Sequence, residues 1–336
     1  MSMSPMRIDR RSLLALAGTA LAAGSVRAQT PKKVAALFAG RIDDRGFMQA
    51  GYDGLKLAEA RLGVSVAFRQ GVQPKPEELT AALRELAAAG PDLVIAHGGQ
   101  NNAAAKAVAA EFPAVRFVVT QGNVTGPNLA SYEVLQEQSA FLAGMLAALT
   151  TRTGVVGHMS GIRVTPGLKG RAAYAAGVAH ADPKVMLLTN FSGNQDDNAL
   201  SEKIARAMIA KDAQVIFTML NAGRNGVIAA CRELGVKQIG NVGDWTAIAP
   251  DVFIASAFAD SGRALFDAVA DFTAGKFAAG EVKHLGLQTP EAVRLVMAPS
   301  VPVEIRGRIE AAASSIIAGS LKVPVEWTGA EFPTPV

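Results

Sequence analysis

Cysteine is nearly missing from this 336-residue chain, with Cys231 standing alone. No disulfide can close within the chain, and no thiolate cluster can hold a metal. Helical spacing places Cys231 with Val227, Ile228 and Leu234 on one apolar face, so it reads as a small buried hydrophobe. Histidine is scarce as well. His97, His158, His180 and His284 are scattered without the paired spacing of zinc ligands, and no metal or cofactor is expected. The glycine-rich signature of a phosphate-binding ATPase loop does not occur. Gly157-His158-Met159-Ser160-Gly161 misses the nucleophile-elbow spacing by one residue. Asp43 and Asp44 are adjacent, an arrangement that turns two carboxylates apart rather than into an acid/base pair. An enzyme is therefore not expected.

Long hydrophobic runs are also lacking. The longest lies near the N-terminus and covers about a dozen residues, against the roughly 20 needed to span a bilayer. It follows Arg10-Arg11 and ends at Val26-Arg27-Ala28, giving a charged region, an apolar region and a small-residue cleavage site. Residues 1–28 read as an export signal, and the paired arginines point to the twin-arginine route. No cysteine stands at the cleavage point to carry a lipid. A free, unanchored exported protein is expected in the periplasm. Four of the 33 basic residues and one of the 29 acidic residues lie in that segment, so the remainder is close to neutral. With no Lys/Arg run to supply a basic patch, nucleic acid and anionic membrane are excluded as partners.

What remains is a repeated alternation. Short β-branched runs at 34–38, 64–68, 93–96, 116–119, 155–159, 185–188, 215–217, 238–240 and 254–257 read as strands. Ala-rich stretches at 49–62, 76–89, 101–111, 137–150, 197–211, 225–234 and 261–274 read as helices between them. Apolar strands each followed by a helix describe an α/β fold with parallel sheets covered on both faces. The alternation runs twice, with an extended crossing at 128–138 between the halves. Two doubly wound lobes joined by a hinge are expected: 29–133 with about 258–290, and about 134–257 with 291–336. Ligands of open α/β sheets bind beyond the carboxyl ends of the strands.

The segments just past those ends are rich in amides, glycine and aromatics. They include Asp43-Asp44-Arg45-Gly46-Phe47, His97-Gly98, Thr120-Gln121-Gly122, Asn190-Phe191, Leu220-Asn221 and Gly243-Asp244-Trp245. Such tips suit a small, planar, hydrogen-bonding ligand, because aromatic faces stack and amides both donate and accept. The candidate ligand-binding residues are Asp43, Asp44, Phe47, His97, Gly98, Gln121, Phe191, Asn221, Asp244 and Trp245. For several of these a structural reading stays open beside the functional one. Asp43 and Asp44 equally suit a solvated loop, His97 a hydrogen-bonded core histidine, Phe191 the core and Trp245 inter-lobe packing. Asp197 reads as a helix cap.

The first-loop sequence, followed by Gly51-Tyr52-Asp53-Gly54, resembles the basic membrane protein family of ABC-importer substrate-binding proteins. Tyr132-Glu133, Gln136-Glu137-Gln138 and Phe141-Leu142-Ala143-Gly144 are similar to that family's hinge and following helix. Val301-Pro302-Val303-Glu304 and Ile317 to Pro324 resemble its usual ending. The resemblance implies a type I periplasmic binding fold, a purine-type ligand between the lobes and an inner-membrane permease as partner, with the protein itself a monomer. It implies base contacts from the first-loop acid and Phe47, stacking by Phe191 and a polar contact from Asp244. The family's nucleoside receptors hold ribose with an acid and a lysine, where this chain has Val242 and Ala259. The resemblance therefore leans toward a free, adenine-like purine base, with a nucleoside or another flat heterocycle as the alternative and, from another class, a periplasmic purine-modifying enzyme.

Overall fold

The computed structural model describes residues 31–335; the export segment expected at 1–28 lies outside the described residues. In chain order the first part runs β1 (Lys33–Phe38), α1 (Phe47–Leu62), β2 (Ser65–Gln70), α2 (Pro76–Ala88), β3 (Leu93–His97), α3 (Asn102–Glu111), β4 (Arg116–Thr120) and β5 (Leu129–Val134). Then come α4 (Gln136–Thr150), β6 (Val155–Ser160), α5 (Thr165–Ala181), β7 (Met186–Phe191), α6 (Asn198–Ile209), β8 (Val215–Met219), α7 (Arg224–Leu234), β9 (Lys237–Val242), α8 (Trp245–Ile248) and β10 (Phe253–Ala259). The chain closes with α9 (Ser261–Thr273), β11 (Val282–Leu285), β12 (Val293–Met297) and α10 (Val303–Ile317).

The strands form two six-stranded sheets, ordered β11-β5-β4-β3-β1-β2 and β12-β10-β9-β8-β6-β7. All pairings are parallel except that of β12 with β10. The fold is thus the α/β architecture with two parallel-dominated sheets that the alternation predicts. Central strands such as β3 and β8 are buried along their whole length, because helices cover both faces. Chain order reverses between β1 and β3 in one sheet and between β6 and β8 in the other. At such switch points the loops leave in opposite directions and open a crevice.

Each expected strand and helix has a counterpart; β5 forms where only an extended crossing is expected, and α5, α8, α10, β11 and β12 do not appear among the expected elements. Helix α5 hides behind Pro166, Gly167, Gly170 and Gly177, residues that sequence punctuation assigns to loops. Pro166 sits in the first turn, where the missing N–H costs nothing. Gly177 and Gly144 let α5 and α4 touch backbone to backbone: a Cβ on either would collide with a carbonyl oxygen of the opposite helix, Phe141 or Tyr174. Strands β11 and β12 are short edge strands, half-exposed along much of their length, and carry little hydrophobic signal.

The quoted hinge residues are anchored where the chain crosses, and one of them, Glu133, reaches from the first sheet to a helix of the second half. Tyr132 donates its hydroxyl hydrogen to Asp271 of α9 at 2.7 Å. Glu133 accepts from Lys169 of α5 at 2.6 Å, and its other oxygen lies 3.2 Å from His284 of β11. Cys231 is fully buried, and burial pushes its thiol up to about 12, which leaves it unreactive.

Candidate functional site

The loop after β1 starts the site. Asp43 points outward, exposed and paired with Arg41 at 2.9 Å, so it solvates the loop and does not face the seam between the sheets. Asp44 is the half-buried member of the pair. Its Oδ1 accepts from the Gly46 amide at 2.8 Å, and burial, with Asp196 adding to it, raises its pKa above the usual carboxylate value. Phe47 opens α1 and lies on the imidazole of His97, centroids 4.3 Å apart and planes within 23°. His97 fits beneath it because residue 51 is glycine, where a Cβ would strike the ring.

His97 is completely buried, and both ring nitrogens are occupied. Nε2 donates to the Phe47 carbonyl at 3.0 Å, and Nδ1 accepts from Thr120 at 2.7 Å. Burial lowers its pKa to about 4, so the ring is neutral at pH 7. It has no polar atom left for a ligand; it fixes Phe47 instead. Gly98 and Gln121 are likewise engaged by protein. The Gly98 amide donates to the Thr120 carbonyl at 3.1 Å, and Gln121 spans to the backbone of Val134 with both ends of its side chain. In the structure all three support the loop framework.

The second sheet answers from the other side. Asn221, just past β8, lies so close to the first loop that a Cβ on Gly46 would sit 2.7 Å from its Oδ1. The switch-point loops of the two sheets thus meet at Gly46 and Asn221. Asp244 caps α8, accepting from the Thr246 amide at 3.0 Å and from its hydroxyl. Trp245 is 5% exposed; its Nε1 donates to the Asn241 carbonyl at 3.0 Å, and its ring packs on Phe253. A crevice of about 190 Å³ separates Gly46, Gln49 and Asp53 from Val242, Gly243 and Trp245. Val242 holds φ at 67°, a conformation a β-branched residue adopts only under constraint. Arg45 and Gln121, at 55° and 53°, carry the same strain beyond β1 and β4, and such strain gathers at functional sites.

The residue that sequence reasoning overlooked is Arg224, at the start of α7. It is 1% exposed, and its guanidinium lies 4.1 Å over the Trp245 ring. Nη2 donates to the Leu220 carbonyl at 2.5 Å and to Asn241 Oδ1, while Nε and Nη1 have no protein partner. Burial lowers its pKa to about 9, opposed by Asp44, so the group stays charged at pH 7. Orphaned donors on a buried group cost about 1–3 kcal/mol and more for a charge. One signal was legible: a cation in the first turn opposes the helix dipole and so asks for a reason.

Phe191, expected to stack on ligand, is already partnered. The guanidinium carbons of Arg163 and Arg171 each lie 4.8 Å from its centroid. Arg171 in turn touches the Trp327 ring at 4.5 Å, and Glu331 accepts from Arg163 and Arg171. The Phe332 amide donates to the Thr189 carbonyl at 2.7 Å, so the C-terminal segment straps the open edge of β7. The structure gathers Asp44, Phe47 and Asn221 at one seam with Trp245 beside it, and leaves Asp43 and Phe191 out.

Two switch-point loops meeting across a polar and aromatic crevice define a two-lobe α/β ligand-binding protein. The family model described as "ABC transporter substrate-binding protein PnrA-like" matches residues 31–326, and the chain belongs to that family, Bmp. It is 26% identical to basic membrane protein A of Borreliella burgdorferi, over 90% of each chain. It is 23% identical to the transcriptional activator protein med of Bacillus subtilis, over 84% of this chain and 89% of that one. A solved ABC-transporter solute-binding protein from Aeropyrum pernix superposes with a TM-score of 0.78 at 20% identity, covering 88% of this chain and 94% of the other. The protein is an ABC-transporter substrate-binding protein with the type I periplasmic fold, and it takes a small-molecule ligand and a permease as partners. Among the described residues no helix is long and apolar enough to cross a membrane.

Proposed function

We propose that the protein works in the periplasm, encloses a free purine base between its two lobes and delivers it to an inner-membrane permease. The lobes comprise 29–133 with about 258–290, and about 134–257 with 291–336; the chain acts as a monomer. The observation that carries this reading is the Phe47 ring, backed on one face by His97 and following Gly46, the point where Asp44 and Asn221 come together at the seam. Aromatic stacking supplies roughly 1–3 kcal/mol per base. Micromolar binding needs about 8 kcal/mol, and charge-assisted hydrogen bonds of about 1.5–3 kcal/mol each close the difference.

Two positions favour a base over a nucleoside. Val242 offers no polar side chain, and Ala259 is buried in the ladder opposite Val293. Neither can grip ribose hydroxyls. Calorimetric titration of ligand-stripped protein with purine bases and their nucleosides tests the reading. A base binding at least about a hundredfold tighter than its nucleoside supports it. Nucleosides binding as well or better overturn the lost ribose site, silence from every purine overturns the ligand class, and release of a chemically altered purine makes the protein an enzyme.

A further inference from the structure

Arg224 carries information that the stacking platform does not. Its charge is fully buried, yet Nε and Nη1, which hold three of the five guanidinium N–H groups, meet no protein acceptor. The group cannot swing away to find one. Its flat face lies against Trp245, and Nη2 is held by Leu220 and Asn241. It stands just past the carboxyl end of β8, three residues beyond Asn221, the residue that meets the first loop. Its field reaches Asp44 of that loop, the nearest source of compensating charge from the first sheet. Asp44 does not bond to it; the Oδ1 of Asp44 accepts from Gly46.

A fixed, desolvated set of donors recognises acceptors and rejects donors. Purines differ at this level. The O6 and N7 atoms of a 6-oxopurine form an adjacent pair of acceptors, which arginine engages in a bidentate manner. Adenine puts an amino donor beside N7, which would set donor against donor. We infer that Arg224 binds the acceptor edge of the ligand and so sets the cleft for 6-oxopurines over 6-aminopurines. This rests on the purine reading above and turns it away from the adenine-like base expected from sequence. Asp44, across the seam, then faces the ring N–H groups that an oxopurine presents elsewhere on its rim.

Hypoxanthine and adenine differ in the group at position 6 and in the proton on N1, so calorimetry with this pair reads the Arg224 edge together with the N1–H, and substitution of Arg224 separates the two. The unmodified protein should bind hypoxanthine at least tenfold tighter than adenine. Arg224→Met should erase that preference, weakening hypoxanthine at least tenfold while changing adenine less than threefold. Equal affinity of the unmodified protein for both bases overturns the inference even if Arg224→Met fails to fold. An equal loss for both bases in a folded Arg224→Met variant also overturns it and makes Arg224 a structural counter-ion for Asp44. If neither base binds but other small molecules do, the purine reading itself falls. Arg224→Lys keeps the charge without the fork, and should retain adenine affinity with only part of the hypoxanthine preference.

Discussion

Phe47 lies parallel on His97 with ring centroids 4.3 Å apart, and the imidazole is bonded at both nitrogens, so the aromatic face is set before any ligand arrives. Preorganisation of this kind lowers the cost of ordering a side chain on binding. Phe47→Ala should therefore weaken hypoxanthine and adenine by similar factors, of about 10 to 100, because stacking is tolerant of base identity. Isothermal titration of both bases checks it. Loss of one base alone would mean that Phe47 touches an edge and not a face.

The neutral state of His97 makes a prediction about acid. Its folded pKa is lowered from 6.5 to about 4 by burial, and that of His158 to about 3. Between pH 6.5 and 4 the unfolded chain binds protons at these sites that the folded chain refuses. Stability from this source is complete above pH 6.5 and falls as pH drops toward 4. At 1.36 kcal/mol per unit, His97 accounts for at most about 3 kcal/mol. Denaturant melts at pH 7, 6, 5 and 4 should show the decline, and His97→Leu should flatten it while lowering stability throughout. An unchanged slope in the variant would mean that His97 charges without unfolding the protein.

Much of the fold was legible in the sequence because its strands are short buried runs, a pattern that parallel sheets impose. Helix α5 was not, since its glycines serve contact with α4, a relationship between segments about 30 residues apart that no local spacing reveals. The site divides in the same way. Asp44 and Phe47 could be placed at a strand end from sequence, but which of Asp43 and Asp44 turns inward depends on Arg41 taking Asp43 outward. Arg224 was hidden because its burial is a property of Asn241 and Trp245, which belong to the next β/α unit. The glycines of the first-loop motif have clear physical tasks: Gly51 admits the His97 ring, and Gly54 admits the backbone of α9 at Gly262.

Asp244 combines a cap with a proposed ligand contact, and two substitutions separate them. Its carboxylate holds the Thr246 amide and hydroxyl at the start of α8. Asp244→Ala should cost about 1 kcal/mol of stability through loss of the cap. Asp244→Ser retains a capping oxygen and should leave the melting temperature of the empty protein near that of the unmodified chain. If the carboxylate also meets ligand, both variants should weaken binding by about tenfold or more, in line with a charge-assisted hydrogen bond. Full affinity in Asp244→Ser would confine Asp244 to the cap.

Two glycines in helices should respond to alanine in opposite directions. Gly177 faces the Phe141 carbonyl at the α4–α5 contact, and an added Cβ would overlap that oxygen. The helices would have to separate along a seam that carries part of the second sheet's core, at a cost of about 1–3 kcal/mol or more. Gly307 lies within α10, and a Cβ there would meet nothing within 4 Å. Alanine at that position removes unfolded-chain freedom and introduces no clash, a gain of roughly 0.5–1 kcal/mol. Urea melts of Gly177→Ala and Gly307→Ala should move to either side of the unmodified protein. A neutral Gly177→Ala would mean that α4 and α5 slide apart at little cost, and the close backbone contact would then not be what holds α5 in place.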